Sequence, residues 1–318
     1  MEELGIKHKM LPVNEINMHV AEKGEGPVVL LLHGFPEFWY GWRYQLTELA
    51  QHGFRAVAPD LRGYGDSSVP PEMTSYTILH LVGDVVALMD ALEQPQVFVV
   101  GHDWGAILAW YLCLFRPDQI KALVNMSVPF IPRIGSIKPV TAMYGDAYYI
   151  CRFQEPGIAE SEIACLGIDS FLKKVFTYHK PEPFYIPKEG LGSPNEKITL
   201  PYWITEEEII YYVKNFEKTG FTGPLNDYRC LDLSRDLIAP WSGAEITVPT
   251  KFIIGDHDMT YHFPGIQMYI NLYGMKLFVP GLQDVAVLKG VGHFLHQERP
   301  KEVTDHICDV TPHRFDRI

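Results

Sequence analysis

The residues with the clearest chemical potential form the sequence Gly-His-Asp-Trp-Gly at positions 101–105. An apolar run at residues 97–100 precedes them and a helical pattern at residues 106–112 follows, so Asp103 is predicted at a sharp strand-to-helix turn. Flanking glycines allow the strained angles and close backbone approach that such a turn requires. Because aspartate is ionised at neutral pH, Asp103 could attack a saturated carbon and form an alkyl ester. The alternative interpretation is that Asp103 only caps the helix.

Two later segments supply the partners that such a nucleophile needs. One apolar run leads into Gly-Asp-His-Asp at residues 255–258, and another leads to His293. His293 is predicted to activate water against the ester, and Asp258 to orient its ring and stabilise the imidazolium. Asp256 is an alternative candidate for the acid. A histidine after a strand can be merely structural, but its combination with Asp103 favours a catalytic triad.

The sequence His-Gly-Phe-Pro at residues 33–36 is predicted to complete the site. Water attacking the ester carbonyl generates an oxyanion, which needs hydrogen-bond donors. The backbone N–H of Trp104, directly after the nucleophile, and that of Phe35 are predicted to be these donors. The alternative is an ordinary turn ended by proline.

These residues need a scaffold, and apolar runs alternate with helical patterns as a parallel sheet requires. Strands are predicted at residues 28–32, 54–58, 97–100, 122–126, 250–254 and 285–288, and a helix at residues 78–92. The nucleophile, acid and base each follow one strand, in the order typical of the α/β-hydrolase fold. Carboxyl ends of parallel strands meet at one sheet edge, so the three side chains should lie together. The predicted fold class is α/β, with a mostly parallel central sheet flanked by helices.

The regular alternation stops after residue 130 and resumes after residue 240. The intervening segment is rich in aromatic residues, contains a Pro- and Gly-rich stretch and has mostly helical or irregular patterns. We predict an α/β-hydrolase core formed by residues 1–130 and 241–318, with a mainly helical cap inserted at residues 131–240. A length of 318 residues fits one core with one insertion.

Composition narrows the class of partner. Hydrophobic residues make up 47% and aromatic residues 13% of the chain, which is typical of a globular protein with apolar internal surfaces. The net charge of −12 disfavours nucleic acid and anionic membranes. No apolar stretch approaches the roughly 18 residues of a membrane span, and the start lacks a signal-peptide pattern, so a cytoplasmic location is predicted. Five cysteines without Cys-x-x-Cys spacing favour free thiols over disulfides or a zinc site.

With these motifs the chain resembles the soluble epoxide hydrolases of the α/β-hydrolase superfamily, most closely their single-domain plant type. The resemblance covers nearly the whole chain and rests on residues 33–37, 60–67, 101–105, 149–154, 221–229 and 292–294. It implies that two cap tyrosines, Tyr149 and Tyr228, bind and protonate the epoxide oxygen. A phenol with a pKa of about 10 is a suitable donor for an alkoxide leaving group. Tyr148 is an alternative to Tyr149.

The resemblance also implies roles beside the triad. Glu37 and His102 match positions that handle protons or water in plant relatives; a solvated acid and a core-edge histidine are their structural alternatives. Pro36 is grouped with these substrate-binding or proton-handling residues, and the family has a cis peptide bond between Phe35 and Pro36. Trp104 is expected to line the pocket with its indole ring. Neither a cofactor nor a metal is implied.

Epoxide hydrolysis is therefore the predicted function. Asp103 would open an apolar epoxide, such as a fatty-acid, aryl or alkyl oxirane, and water activated by His293 and Asp258 would release a vicinal diol. The expected partners are this small molecule and water, with no nucleic acid and no membrane span, and the chain is expected to be a monomer or homodimer. We expect no counterpart of the amino-terminal phosphatase domain of mammalian relatives, and residues 311–318 depart from the apolar helix that usually closes the family.

Three other functions compete. A haloalkane dehalogenase shares the aspartate nucleophile, but it needs halide donors and usually has His-Gly-Asn-Pro in the early loop, so Phe35 and the two tyrosines argue against it. A small-molecule receptor of the same fold is disfavoured by the intact triad. An acyl esterase is disfavoured because a carboxylate that attacks an ester carbonyl would form an anhydride.

Overall fold

The computed structural model describes residues 5–132, 136–187, 190–193, 196–272 and 274–310, and these contain one eight-stranded sheet. Its strands are β1 (Lys7–Val13), β2 (Ile16–Lys23), β3 (Val28–Leu32), β4 (Arg55–Pro59), β5 (Val97–His102), β6 (Ile120–Met126), β7 (Thr250–Gly255) and β8 (Leu282–Leu288). They lie in the order β1-β2-β4-β3-β5-β6-β7-β8. Only the β1–β2 and β2–β4 pairs are antiparallel. The mostly parallel sheet is thus confirmed.

Thirteen α-helices surround or extend this sheet in the described residues. They are α1 (Arg43–Gln51), α2 (Ile78–Ala91), α3 (Trp104–Phe115), α4 (Ile137–Tyr144), α5 (Tyr149–Arg152), α6 (Ile158–Leu166), α7 (Ile168–Phe176), α8 (Glu206–Thr219), α9 (Thr222–Arg229), α10 (Leu231–Leu237), α11 (Ile266–Asn271), α12 (Leu295–Glu298) and α13 (Pro300–Cys308). None of them is long and apolar enough to cross a membrane.

The central strands are continuous apolar runs because the parallel sheet is covered on both faces. Every residue of β3, Val-Val-Leu-Leu-Leu, is buried, and so is every residue of β5. All six predicted strands are present, with bounds that differ from the prediction by at most a few residues. The hydrophobic patterns therefore contain most of the information about the sheet.

The antiparallel hairpin of β1 and β2 was not predicted. β1 is an edge strand, six of its seven residues are exposed or half-buried, and its sequence Lys-His-Lys-Met-Leu-Pro-Val lacks an apolar run. Asn14 and Glu15 form its turn, both with positive φ, as tight hairpin turns require. This turn was the available signal for the hairpin.

Seven of the helices, α4 to α10, lie between β6 and β7, and this interval contributes no strand to the described sheet. We use the name cap for the predicted insertion, residues 131–240, and core for the rest. Side-chain contacts join the two parts: Arg43 is 2.7 Å from Glu208, and the Tyr64 hydroxyl donates to Asp227 over 3.2 Å. The predicted cap therefore packs directly against the core.

Candidate active site

Asp103 lies between β5 and α3, where the chain turns directly from strand to helix. Its backbone has φ +53° and ψ −117°, in the positive-φ region that most side chains avoid. A Cβ atom at Gly105 would lie 2.1 Å from the Leu32 carbonyl oxygen, and one at Gly34 would lie 2.4 Å from Asp103 Cβ. Glycine is therefore required at both positions for the neighbouring loops to approach the turn.

The structure brings the three predicted triad residues together. His293 Nε2 is 3.6 Å from Asp103 Oδ2, and His293 Nδ1 is 3.0 Å from Asp258 Oδ1. Asp103 follows β5, Asp258 lies three residues beyond the end of β7, and His293 lies beyond β8. All three are buried. Asp256 is not in contact with His293: its carboxylate accepts the Gly290 N–H and lies 3.4 Å from Lys289.

The charges in this group are mutually dependent. Burial favours the neutral form of Asp258, but the neighbouring His293 imidazolium and its hydrogen bond outweigh this and lower the Asp258 pKa to about 2. Burial likewise opposes protonation of His293, whereas Asp258 and then Asp103 raise the His293 pKa to about 9. The free site is therefore an imidazolium held between two carboxylates.

Two hydroxyl side chains beside the triad were missed from the sequence. Ser127 Oγ lies 3.1 Å from His293 Nδ1, and Ser127 has a positive φ of 70°. Thr260 donates to Asp258 Oδ1 through its backbone N–H and its hydroxyl, at 3.0 and 2.9 Å. Ser127 directly follows β6 and so occupies the same sheet edge as the other site residues. That position was a usable signal, since the sheet order could have been inferred.

The backbone N–H of Phe35 donates to Asp103 Oδ1 over 2.8 Å. The Phe35–Pro36 peptide bond is cis, as the resemblance implied. Trp104 is the first residue of α3, and its indole packs edge-on against the Tyr228 ring at 4.9 Å. The Phe35 N–H therefore already contacts the Asp103 carboxylate, and Trp104 borders the same space as Asp103.

Tyr149 and Tyr228 extend from the cap toward the nucleophile. Tyr149 begins α5 and Tyr228 lies in α9; their ring centroids are 5.9 Å apart. Burial, followed by the charges of Tyr228 and Asp103, raises the pKa of Tyr149 well above the ordinary value, and burial followed by the charge of Asp103 does the same for Tyr228. Both hydroxyls therefore keep their protons at neutral pH. Tyr148 instead stacks on Tyr144 at 4.4 Å.

Two cavities meet at these residues. The smaller has about 500 Å³ of empty space and the larger about 1160 Å³. Asp103, Tyr149 and Tyr228 line both, whereas Tyr148 lines only the larger. Apolar side chains form most of the other walls: Phe153, Phe171 and Val175 in the smaller cavity, and Trp110, Phe130 and Val140 in the larger. A substrate centred on Asp103 can thus extend in two directions.

Glu37 and His102 form a fully buried network behind the triad rather than a cavity wall. Glu37 contacts His102 Nδ1 at 2.9 Å and His296 Nε2 at 3.0 Å, and His102 Nε2 lies 2.8 Å from the His293 carbonyl oxygen. Burial opposes ionisation of Glu37, but the two histidines hold its pKa well below the usual value. Burial lowers the His296 pKa to about 4. Pro36 lines neither cavity, and His296 was missed from the sequence.

The comparisons with known proteins agree with this geometry. A family model described as alpha/beta hydrolase fold matches residues 27–150. Epoxide hydrolase 2 of Siraitia grosvenorii is 53% identical over 96% of this chain and 98% of its own length. The crystal structure of an epoxide hydrolase from Vigna radiata has a TM-score of 0.94 at 52% identity, and covers 97% of this chain and 98% of its own.

A mutant epoxide hydrolase from Solanum tuberosum has a TM-score of 0.91 at 53% identity, over 96% of this chain and 98% of its own. Each of these relatives is more than 50% identical to this chain over at least 96% of its length. The chain therefore belongs to the epoxide hydrolase family of the α/β-hydrolase superfamily.

Proposed function

We propose that this epoxide hydrolase converts apolar epoxides to vicinal diols through a covalent ester on Asp103. One observation carries the proposal: Asp103 borders both cavities together with Tyr149 and Tyr228, and its carboxylate lies 3.6 Å from His293, which also lines the smaller cavity. Nucleophile, acid and base thus surround one space large enough for a small molecule. The proposed roles of individual residues are argued from their contacts.

Ring opening is the first step. Asp103 Oδ1 is held by the Phe35 N–H, so Oδ2 is the oxygen proposed to attack an epoxide carbon. The bond from that carbon to the epoxide oxygen breaks, and the oxygen takes a proton from Tyr149 or Tyr228. Both phenols are protonated at neutral pH because burial and the Asp103 charge raise their pKa. The product of this step is a hydroxyalkyl ester of Asp103.

Ester hydrolysis is the second step. Alkylation neutralises Asp103, which removes one of the charges that raise the His293 pKa, so the His293 imidazolium can give its proton to the phenolate left by ring opening and become a neutral base. It takes a proton from water, which attacks the ester carbonyl carbon, and the oxyanion develops at Oδ1 beside the Phe35 N–H. We propose the Trp104 N–H as the second donor. Collapse breaks the acyl–oxygen bond, and the His293 proton goes to the departing diol. The proton left on the regenerated Asp103 carboxyl then passes to His293, which restores the charges of the free site.

The supporting residues are proposed to position rather than react. Asp258 and Ser127 fix the His293 ring through their hydrogen bonds, and Thr260 holds Asp258 in place. Glu37 and His102 fix the backbone carbonyl of His293 from behind. Pro36 shapes the loop that carries the Phe35 N–H.

The apolar walls of both cavities support fatty-acid, aryl or alkyl oxiranes as the substrate class. Equal turnover of small hydrophilic epoxides would contradict this assignment. The free cysteines of the described chain support the predicted cytoplasmic location. Monomer or homodimer remains the predicted assembly.

A trapping experiment tests the mechanism. The His293→Gln variant should be incubated with styrene oxide and, separately, with a chloroalkane, followed by intact-protein and peptide mass measurement. We expect a gain equal to the whole epoxide on the peptide that contains Asp103, because ester formation survives and hydrolysis does not. A gain only from the chloroalkane, without its halide, would instead indicate a dehalogenase. No adduct from either compound would favour a binding role or a different nucleophile.

A further inference from the structure

A second cluster of ionisable side chains lies on the core. It consists of His19 on β2, Asp60 directly after β4 and Asp66 in the following loop, and none of them lines either active-site cavity. One potential ligand atom from each residue lies within 4.8 Å of the others. We propose that these three residues bind one divalent cation of the Zn²⁺ class. The proposal is independent of the epoxide chemistry.

The orientation of His19 is the main support. This residue is 5% exposed, and its Nδ1 lies 2.8 Å from Asp60 Oδ2. The contact has the distance of an ion pair but lacks hydrogen-bond geometry, so Nδ1 is buried without a hydrogen-bond partner. Tetrahedral metal bonds of about 2.1 Å separate their donor atoms by roughly 3.4 Å. A widening of the contact by about 0.6 Å would therefore make the nitrogen and oxygen neighbouring ligands of one ion.

The surroundings hold both groups in this arrangement. His19 Nε2 lies 3.0 Å from His8 Nδ1, and donation across this contact leaves the lone pair on His19 Nδ1. Asp60 Oδ1 accepts the Trp39 N–H at 2.8 Å, and Asp60 Oδ2 accepts the Asp66 N–H at 3.0 Å. A carboxylate has about four lone-pair sites, so Oδ2 retains one for a metal.

The donor set and the access route define the ion. One imidazole nitrogen with two carboxylate oxygens suits borderline first-row cations such as Zn²⁺, whereas Mg²⁺ and Ca²⁺ prefer oxygen alone. The cluster opens on a surface cleft that His19, Asp66 and Lys218 help to line. Lys218, from the cap, forms an ion pair with Asp66. The ammonium is therefore the cation that Zn²⁺ must displace.

The competition between Zn²⁺ and the Lys218 ammonium for Asp66 gives the proposal a specific test. Zn²⁺ binding to the full chain without an affinity tag should be measured by titration calorimetry at pH 7.5, with Mg²⁺ in a parallel titration. We expect one Zn²⁺ per chain, loss of this binding in His19→Gln and at least about tenfold weaker binding in Asp66→Asn. Lys218→Met should bind Zn²⁺ more tightly than the natural chain, because it removes the competing charge.

The matched control is Lys301→Met, which removes a lysine from the exposed Lys301–Asp305 ion pair and should leave Zn²⁺ affinity unchanged. Turnover of an epoxide without Zn²⁺ should change by less than about twofold in Asp66→Asn and Lys218→Met. The proposal would be overturned by Zn²⁺ binding that is equal in the natural chain, in His19→Gln and in Asp66→Asn. It would also be overturned if the natural chain bound no Zn²⁺, or if Lys218→Met weakened binding. Since Asp66 is on the surface, its variant remains informative if His19→Gln does not fold.

Discussion

The core supplies the active site with charged groups, whereas the cap supplies it with phenols. The core residues Asp103, Asp258 and His293 all lie near the ends of parallel strands, and they hold one another at short distances. The cap residues Tyr149 and Tyr228 lie on short helices and pack through aromatic contacts. Under the proposed mechanism, the comparison teaches that the nucleophile and the base that activates water are held by the edge of the sheet, whereas the groups that protonate the leaving oxygen are held in a buried position by the cap.

Removing the nucleophile is the strongest way to test the core's part in this comparison. Asp103→Asn should lower epoxide turnover by at least about 10⁴-fold, because no ester forms. Diol formation and adduct mass are the measurements. The matched control is Asp256→Asn, whose carboxylate contacts the next loop instead of His293 and whose loss should cost no more than about twofold. Comparable losses in both variants would contradict the assignment of the nucleophile.

The cap's part is tested by removing its hydroxyl groups. Tyr149→Phe and Tyr228→Phe should each slow ring opening, and the double variant should lose about 10²- to 10⁴-fold, which is the usual range of general-acid catalysis. Rapid-quench measurement of the alkyl-enzyme isolates this step from hydrolysis. Tyr148→Phe should change the rate by about twofold at most, since Tyr148 does not line the smaller cavity. A larger effect from Tyr148→Phe than from Tyr149→Phe would exchange their roles.

The two steps should also differ in their dependence on pH. His293 acts as a base only when neutral, so hydrolysis should rise about tenfold per pH unit below the ester-state pKa and level off above it. Because the ester lacks the Asp103 charge, that pKa should lie below the value of about 9 in the free enzyme. Single-turnover decay of the alkyl-enzyme between pH 5 and 9 (roughly) measures it. An ester-state pKa at or above that of the free enzyme would contradict the proposed change of charge.

Ser127 offers a finer test of positioning within the core. Ser127→Ala removes a hydroxyl 3.1 Å from His293 Nδ1, and the loss of one hydrogen bond should slow hydrolysis by up to about tenfold. Ring opening should continue at its normal rate, so the alkyl-enzyme should accumulate. Ser127→Gly also lacks the hydroxyl but suits the positive φ at this position, so it serves as the control and should slow hydrolysis by the same factor. Equal slowing of both steps would indicate general damage to the fold instead.

The smallest expected effects concern substrate shape. Val140→Phe narrows the larger cavity and Val175→Phe narrows the smaller one. Each variant should lower kcat/KM a few-fold for epoxides whose long substituent occupies the narrowed cavity. Epoxides whose long substituent occupies the other cavity should be affected less, so the two variants should rank the substrates in opposite orders. A series of oxiranes with one short and one long arm measures this. Identical profiles for the two variants would mean that substrates do not use the cavities separately.

Much of the core was predictable because strand order and hydrophobic runs determine it. The six apolar strands, the turn at Asp103 and the triad order all follow from local patterns. The hairpin of β1 and β2 was missed because an edge strand needs no apolar run. Distances along the chain explain other failures: Glu37 and His296 are 259 residues apart in sequence, and no spacing rule joins them. The positions of the cap tyrosines came only from the resemblance, because aromatic residues pack in the same way whether or not they react.

The backbone at Asp103 has a consequence for the evolution of this enzyme. A non-glycine residue with φ +53° and ψ −117° stores on the order of 1–3 kcal/mol of strain, a sizeable share of the net stability of an ordinary domain. The buried runs of β3 and β5 on either side must offset that cost before the site can exist. A descendant with glycine at position 103 would not carry this strain, so it would tolerate mutations that weaken these strands more easily. Inactive relatives of this kind should therefore accumulate substitutions in these strands faster than active ones.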